Sequence, residues 1–268
     1  MNPVHALIPY RDLLANLVGR DLKSRYKGSV MGFSWTILNP LFMAAIYIVF
    51  LRVLAGRNTV IAMEDIIIGV FAWQFTTQSV NASLHAFTGN PNLVKKVFFP
   101  RIILPTSVVL SALVNFLLTL LVQVPLVAAF LWYKGTLVSG WPLAIPAIVL
   151  YQTIFNLELA LVVSAANVYY RDTAYLVGLV MSAWFFMSPV MYPLELVTSM
   201  SHGMPWLKDL YLLNPMALII TAYRALQVPG ESLPMTPVAL VGWLWPLLAG
   251  VVVLRVFNRA QRYFADVL

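Results

Sequence analysis

Residues 102–133 read IILPTSVVLSALVNFLLTLLVQVPLVAAFLWY, with Arg101 before them, Lys134 after them and no charge between. This run decides the fold class. In an α-helix, about 20 residues rising 1.5 Å each cross the roughly 30 Å of hydrocarbon in a bilayer. The run exceeds a strand's usual length and does not alternate polar with apolar, which excludes an outer-membrane barrel. Working outward, comparable runs occupy Ser29–Leu51, Ile66–Thr88, Pro142–Tyr169, Thr173–Met191 and Pro237–Leu254. The expectation is an all-α integral membrane protein with six transmembrane helices.

Composition agrees. Of 268 residues, 61% are hydrophobic and 10% charged, against roughly 45–50% and about 25% in a soluble domain. The mean hydropathy is +0.83. Cysteine is absent, which excludes disulfide scaffolds, thiolate metal sites and cysteine nucleophiles. His5, His85 and His202 are far apart in sequence, so no metal site is expected. The net charge of +7 fits cationic loops that orient helices against a membrane, rather than a nucleic-acid partner. The charged stretch at Tyr10–Lys27 precedes any apolar run, so a secretory leader is not expected.

With a cytoplasmic N-terminus, the inner side holds Arg11, Arg20, Lys23, Arg25, Lys27, Lys95, Lys96, Arg101, Arg171, Arg255, Arg259 and Arg262. That is twelve of the 17 Lys and Arg residues, a positive-inside bias. An even number of spans also returns the C-terminus to the cytoplasm. The outer side holds Arg52, Arg57, Lys134, Lys208 and Arg224, with Glu64, Asp65, Glu195, Asp209 and Glu231 in what read as solvated loops. Between the fifth and sixth runs, residues 192–236 are broken by Pro193, Pro205, Pro215, Pro229 and Pro234. The best apolar piece there, Leu210–Tyr223, is too short to span, so an external re-entrant or interfacial helical pair is expected. No fixed-period repeat and no half-to-half symmetry is visible, and the chain reads as one transmembrane domain.

Residues 10–28 form a different element. In YRDLLANLVGRDLKSRYK, Leu13, Leu14, Leu17, Val18 and Leu22 recur at helical spacing among charges. This predicts an amphipathic helix in the membrane interface, its apolar face toward acyl chains. A plain positive-inside anchor and a lever contacting a cytoplasmic partner are both open readings. Gly28 permits a sharp turn into the first span, Gly32 close helix approach, and Pro40 a kink.

The stretch RDLKSRYKGSVMGFSWTILNPLF (Arg20–Phe42) resembles the start of ABC-2 type permeases that export cell-surface polysaccharides. Asn92–Arg101 (NLVKKVFFPR), Tyr170-Arg171-Asp172, Ser188–Pro193 (SPVMYP) and Asn214-Pro215 match the same family in order. The wording YKGSVMGFSW is nearer the O-antigen and teichoic acid branches than the group 2 capsule branch. The resemblance implies a homodimer of six-span permeases in the bacterial cytoplasmic (inner) membrane, paired with two copies of an ABC ATPase. It implies that undecaprenyl- or otherwise lipid-linked polysaccharide passes between the two permeases. ATP and magnesium then belong to the partner, because this chain carries no G-x-x-x-x-G-K-[ST] phosphate loop. No cofactor, metal or catalytic residue is expected in this chain.

The resemblance also directs attention to particular residues. Asn92, Leu93, Val94, Lys95, Lys96, Val97, Phe98, Phe99, Pro100 and Arg101 are expected to couple to the ATPase, with Phe98 and Phe99 as exposed aromatics suited to a partner's groove. The alternative is simple insertion into the membrane interface. Arg20, Lys23, Arg25, Tyr26, Lys27 and Gly28 belong to the interface helix. Trp35, Phe185, Phe186 and Tyr192 are expected to line the polysaccharide channel, since rings stack on sugar C–H faces; an interfacial aromatic belt is the competing reading. Gln74, Gln78 and Asn81 recur at helical spacing and read as a hydrated or hydrogen-bonded face, with Gln74 and Gln78 in the channel. Glu158 lies deep in a span and is expected to pair with Arg101 or Arg171. Ser188, Pro189, Tyr192 and Pro193 are expected to form an external gate and its hinge. An ion- or proton-coupled carrier would need more intramembrane acids and half-to-half symmetry, and a lipid-linked glycosyltransferase an acidic metal cluster; neither pattern is present.

Overall fold

Prolines and side-chain caps set where several helices begin. In the computed structural model, Pro91, Pro215 and Pro237 each occupy the first turn of a helix, where a missing N–H removes no intrahelical bond. The Asn214 side chain accepts from the Met216 N–H, and the Thr236 hydroxyl from the Ala239 N–H, which satisfies otherwise orphan donors. The structure describes residues 8–55, 62–138, 144–194, 196–197 and 205–267, and among them every regular element is helical.

The helices are α1 (Arg11–Tyr26), α2 (Ser34–Ala55), α3 (Met63–Leu84), α4 (Pro91–Lys96), α5 (Ile103–Tyr133) and α6 (Ile145–Tyr169). They continue as α7 (Thr173–Phe186), α8 (Pro205–Leu212), α9 (Pro215–Gln227), α10 (Pro237–Ala260) and α11 (Phe264–Val267). Among the described residues, four stretches are long and apolar enough to cross a membrane: Ser34–Leu51, Ile103–Tyr133, Ile145–Tyr169 and Pro237–Tyr263. α3 is as long as α2 at 22 residues, but it carries more polar residues and is buried nearly all round. It packs on α2, α5, α6, α7 and α9. α7 has 14 residues, fewer than a crossing needs.

Boundaries differ from the apolar runs for physical reasons. α3 starts at Met63 rather than Ile66, drawing Glu64 and Asp65 into its first turn, where acids suit the helix dipole. α10 continues past Leu254 to Ala260, taking Arg255 and Arg259 with it. α7 stops at Phe186, ahead of Pro189. Residues 142 and 143, Glu195, Arg57, His5 and His202 lie outside the described residues.

Two large apolar clusters hold the bundle, and a small one joins Leu194, Leu212, Leu218 and Ala239. The larger surrounds α3 and includes Phe71, Phe75, Phe116 and Tyr223, with the Phe75 and Phe116 rings stacked at 4.6 Å. The second joins α1, the α3–α4 turn, the start of α5, the end of α10 and α11 through Leu17, Phe87, Val94, Phe99, Phe257 and Phe264. The apolar face of α1 was expected to face acyl chains. Leu17 is instead buried in this protein cluster, with Leu13 and Leu14 packed against it, because the start of α5 lies beneath it.

Candidate functional site

α3 carries polar groups on two faces, and the structure treats them differently. Toward α6 and α9 most of the groups are paired, Asn156 Oδ1 being left without a partner among the described residues. Gln152 Nε2 donates to the Ala72 carbonyl at 2.8 Å and to Thr76 Oγ1 at 3.0 Å, while the Tyr223 hydroxyl donates to Gln152 Oε1 at 2.9 Å. Asn167 Nδ2 reaches the Leu84 carbonyl at 2.7 Å, and Asn156 Nδ2 reaches Ser79 Oγ at 3.5 Å. Toward α2, Gln74 and Gln78 line a cavity of about 280 Å³. Its other walls come from the end of α1 (Arg25, Tyr26), the start of α2 (Trp35, Thr36, Asn39, Pro40) and α5 (Asn115, Phe116, Thr119). Among the described residues, the Asn39, Gln74 and Gln78 carboxamides have no hydrogen-bond partner. Asn115 is 1% exposed; its Oδ1 accepts from the Tyr26 hydroxyl at 3.1 Å, and its Nδ2 has no partner. Tyr26 also shares a hydrogen bond with the Thr36 hydroxyl, so the end of α1 is tied to α2 and α5 at the cavity wall.

The residues expected to line a channel fall in two places. Trp35, Gln74 and Gln78 share this cavity. Phe185 instead packs on Tyr47 and Trp73, at ring distances of 5.5 and 5.6 Å, and Phe186 is exposed. The Tyr192 hydroxyl donates to the Phe186 carbonyl at 2.8 Å and pairs with the Tyr211 hydroxyl. Asn81 is exposed and outside the cavity lining.

The segment after α7 is clamped. Ser188 is buried and accepts from Asn214 Nδ2 at 3.0 Å; Trp184 Nε1 donates to Asn214 Oδ1 at 2.9 Å. Pro189 and Pro193 are buried. Arg224, counted among the cations of the outer side, is 1% exposed. It donates to the Asp65 carbonyl at 3.2 and 2.9 Å, to the Tyr192 carbonyl at 2.9 Å and to the Val190 carbonyl at 3.2 Å. Its Nε lies 3.9 Å from Asp65 Oδ1. Gly69 packs so closely against the Val190 carbonyl that a Cβ there would collide with it. Glu64 and Asp65 were expected in a solvated loop, yet both are buried, and Glu64 pairs with Lys134 Nζ at 2.6 Å. Local sequence could not reveal this, because the partners are 70 and 159 positions away.

At the opposite end of the bundle, α4 and the residues after it present a mixed surface. Asn92, Lys95, Lys96 and Val97 are exposed, Leu93, Pro100 and Arg101 are partly exposed, and Val94 is buried. Phe98 is 97% exposed and Phe99 7%, so the expected pair of exposed aromatics is corrected to one. The backbone at Val97 is extended, and successive side chains of extended chain point to opposite sides. Arg101 donates to the Gln261 carbonyl. Arg20 Nη2 reaches Asn90 Oδ1 at 2.8 Å and links α1 to the residue that precedes α4. Arg25 pairs with Asp21 at 3.2 Å, Lys23 and Lys27 are exposed, and Gly28 turns the chain with φ +79°.

Glu158 pairs with neither Arg101 nor Arg171 among the described residues. Arg171 and Asp172 are exposed, and the ion pairs present are Arg11–Asp12, Arg25–Asp21, Lys134–Glu64 and Arg224–Asp65. The Glu158 carboxyl instead lies against Gly250 of α10, where any side chain would displace it.

Residues 13–228 match the ABC-2 type transporter family, and the chain belongs to it. It is 36% identical over 227 residues to the O-antigen export system permease protein RfbA of Myxococcus xanthus, covering 83% of each chain. It is 31% identical over 258 residues to the protein of the same name from Klebsiella pneumoniae, covering 96% of this chain and 95% of that one.

Proposed function

We propose that this ABC-2 permease is the membrane subunit of an ATP-driven exporter of lipid-linked polysaccharide, with O-antigen as the cargo class. The likeness to two O-antigen export permeases over most of the chain carries the reading. The fold supports it: apolar helices surround a central helix whose open face bears amides and an aromatic wall, suited to a hydroxylated ligand.

In this reading two copies form the passage in the inner membrane with both termini in the cytoplasm. α3, and α7 together with the residues that follow it to Met191, complete six spans, and α8 and α9 form the re-entrant pair at the outer side. The alternation of Lys and Arg along the chain supports that orientation. The motor is a separate ATPase. Phe98, nearly fully exposed beside Lys95 and Lys96, supplies its docking contact, and the Arg20–Asn90 bond passes the push to α1. The decisive experiment removes this chain from a strain that displays O-antigen. Lipid-linked polymer should accumulate inside and disappear from the surface, and the purified chain should carry an ATPase with it. Normal surface polymer in the deletion strain would refute the reading. Replacing Phe98 with Ala should lower cargo-stimulated ATP hydrolysis about tenfold or more, as expected for a hot-spot aromatic. The comparison with Phe99→Ala is informative: that change should act on folding, by about 3–5 kcal/mol.

A further inference from the structure

We infer that the cavity between α2, α3 and α5 is a saccharide subsite. The Asn39, Gln74, Gln78 and Asn115 carboxamides take hydroxyls of one sugar of the cargo, and Trp35 stacks on its apolar face. The inference rests on the exporter reading and adds to it a site within a single protomer.

Three observations carry it. First, carboxamides without partners are costly inside a membrane bundle, and this chain supplies partners to Gln152, Asn167 and Asn214 elsewhere, with Asn156 paired through Nδ2 and open at Oδ1. Among the described residues, the half-buried Gln74 and Gln78 and the exposed Asn39 are left open around one cavity. Second, Asn115 is 1% exposed, lines that cavity and keeps an unpartnered Nδ2. Its other end is fixed by Tyr26, so the amide donor is held in place with no acceptor from the protein. Third, Pro40 has no N–H for the Thr36 carbonyl, which frees an acceptor at the same wall.

Chemistry selects the ligand. Asn39, Gln74 and Gln78 each offer a donor and an acceptor and Asn115 a donor, the pattern that vicinal hydroxyls need. The rings of Trp35, Phe71 and Phe75 supply the apolar surface. Arg25, the one cation in the lining, is paired with Asp21 at 3.2 Å. The wall therefore carries no spare charge for a phosphate, which argues against the diphosphate of the lipid carrier as the occupant. A volume of about 280 Å³ fits a sugar ring rather than a folded polymer.

The absence of cysteine makes the test direct. Gln78→Cys and Asn39→Cys are introduced singly into the full chain, co-produced with its ATPase, and probed in membranes with a water-soluble thiol reagent. Ala15→Cys, on the exposed side of α1, serves as control. Both cavity cysteines should label in membranes that lack lipid-linked polysaccharide. When O-antigen-bearing undecaprenyl diphosphate is present, their labelling should fall about tenfold, as for a site near 90% occupied, while the control is unchanged. Undecaprenyl diphosphate without sugar should not protect. Asn115→Leu, which keeps the volume and removes the amide, should abolish most of the protection at Asn39→Cys.

A cavity that never labels, protection by the sugar-free lipid, or full labelling while export proceeds would each overturn the subsite. Protection unaltered by Asn115→Leu would do so as well. Loss of the exporter reading has a different signature, a deletion strain with normal surface polymer.

Discussion

On one side of α3, Gln152 and Asn167 reach across from α6 and close hydrogen bonds of 2.7–3.0 Å. On the other side, Gln74 and Gln78 reach no hydrogen-bond partner among the described residues. Both sets are carboxamides beside α3, the paired ones carried by α6 and the open ones by α3 itself. What differs is the neighbour. α6 and α9 present side chains that meet those of α3, whereas α2, which also packs on α3, leaves a cavity of about 280 Å³ beside Gln74 and Gln78. A buried hydrogen bond contributes about 1 kcal/mol net, and an orphaned buried group costs about 1–3 kcal/mol. One face is therefore part of the fold, and the other is kept open for something polar that enters it.

Substitutions should separate the two faces. The largest effect is expected at the Arg224 clamp, the outermost part of the paired side. Arg224→Gln strips a buried guanidinium from Asp65 and from the Val190 and Tyr192 carbonyls. A loss of about 3–5 kcal/mol is expected, read as a sharply lower unfolding temperature in detergent and looser packing of residues 188–193. Gln152→Leu comes next. It leaves the Tyr223 hydroxyl and Thr76 without their partner and should cost about 1–3 kcal/mol. The smallest stability effect is expected on the open side. Gln74→Leu combined with Gln78→Leu should stay within about 0.5 kcal/mol, yet slow export in a vesicle transport assay. If that pair destabilised the protein as much as Gln152→Leu, the contrast between the faces would be lost.

Much of the architecture was legible along the chain. The uncharged runs located the long helices to within a few residues, since only apolar side chains tolerate hydrocarbon and only a helix satisfies its own backbone there. Prolines marked several starts, and the spacing of Gln74 and Gln78 disclosed a polar stripe. The stripe's status was not legible, because no local pattern says whether a partner stands opposite. Glu64 and Asp65 read as solvated charges for the same reason; their partners, Lys134 and Arg224, arrive from distant segments. Phe98 and Phe99 looked equivalent until the extended backbone at Val97 sent them to opposite sides.

The linear order of residues alone determined that this protein is a bundle of apolar helices with a charged helix at its head, because hydropathy and run length act locally and need no knowledge of neighbours. Which polar groups are sewn together and which are left free was settled by how the helices pack. Hydrogen bonds and ion pairs act over about 3 Å, a distance that exists only once segments far apart in the chain have come together.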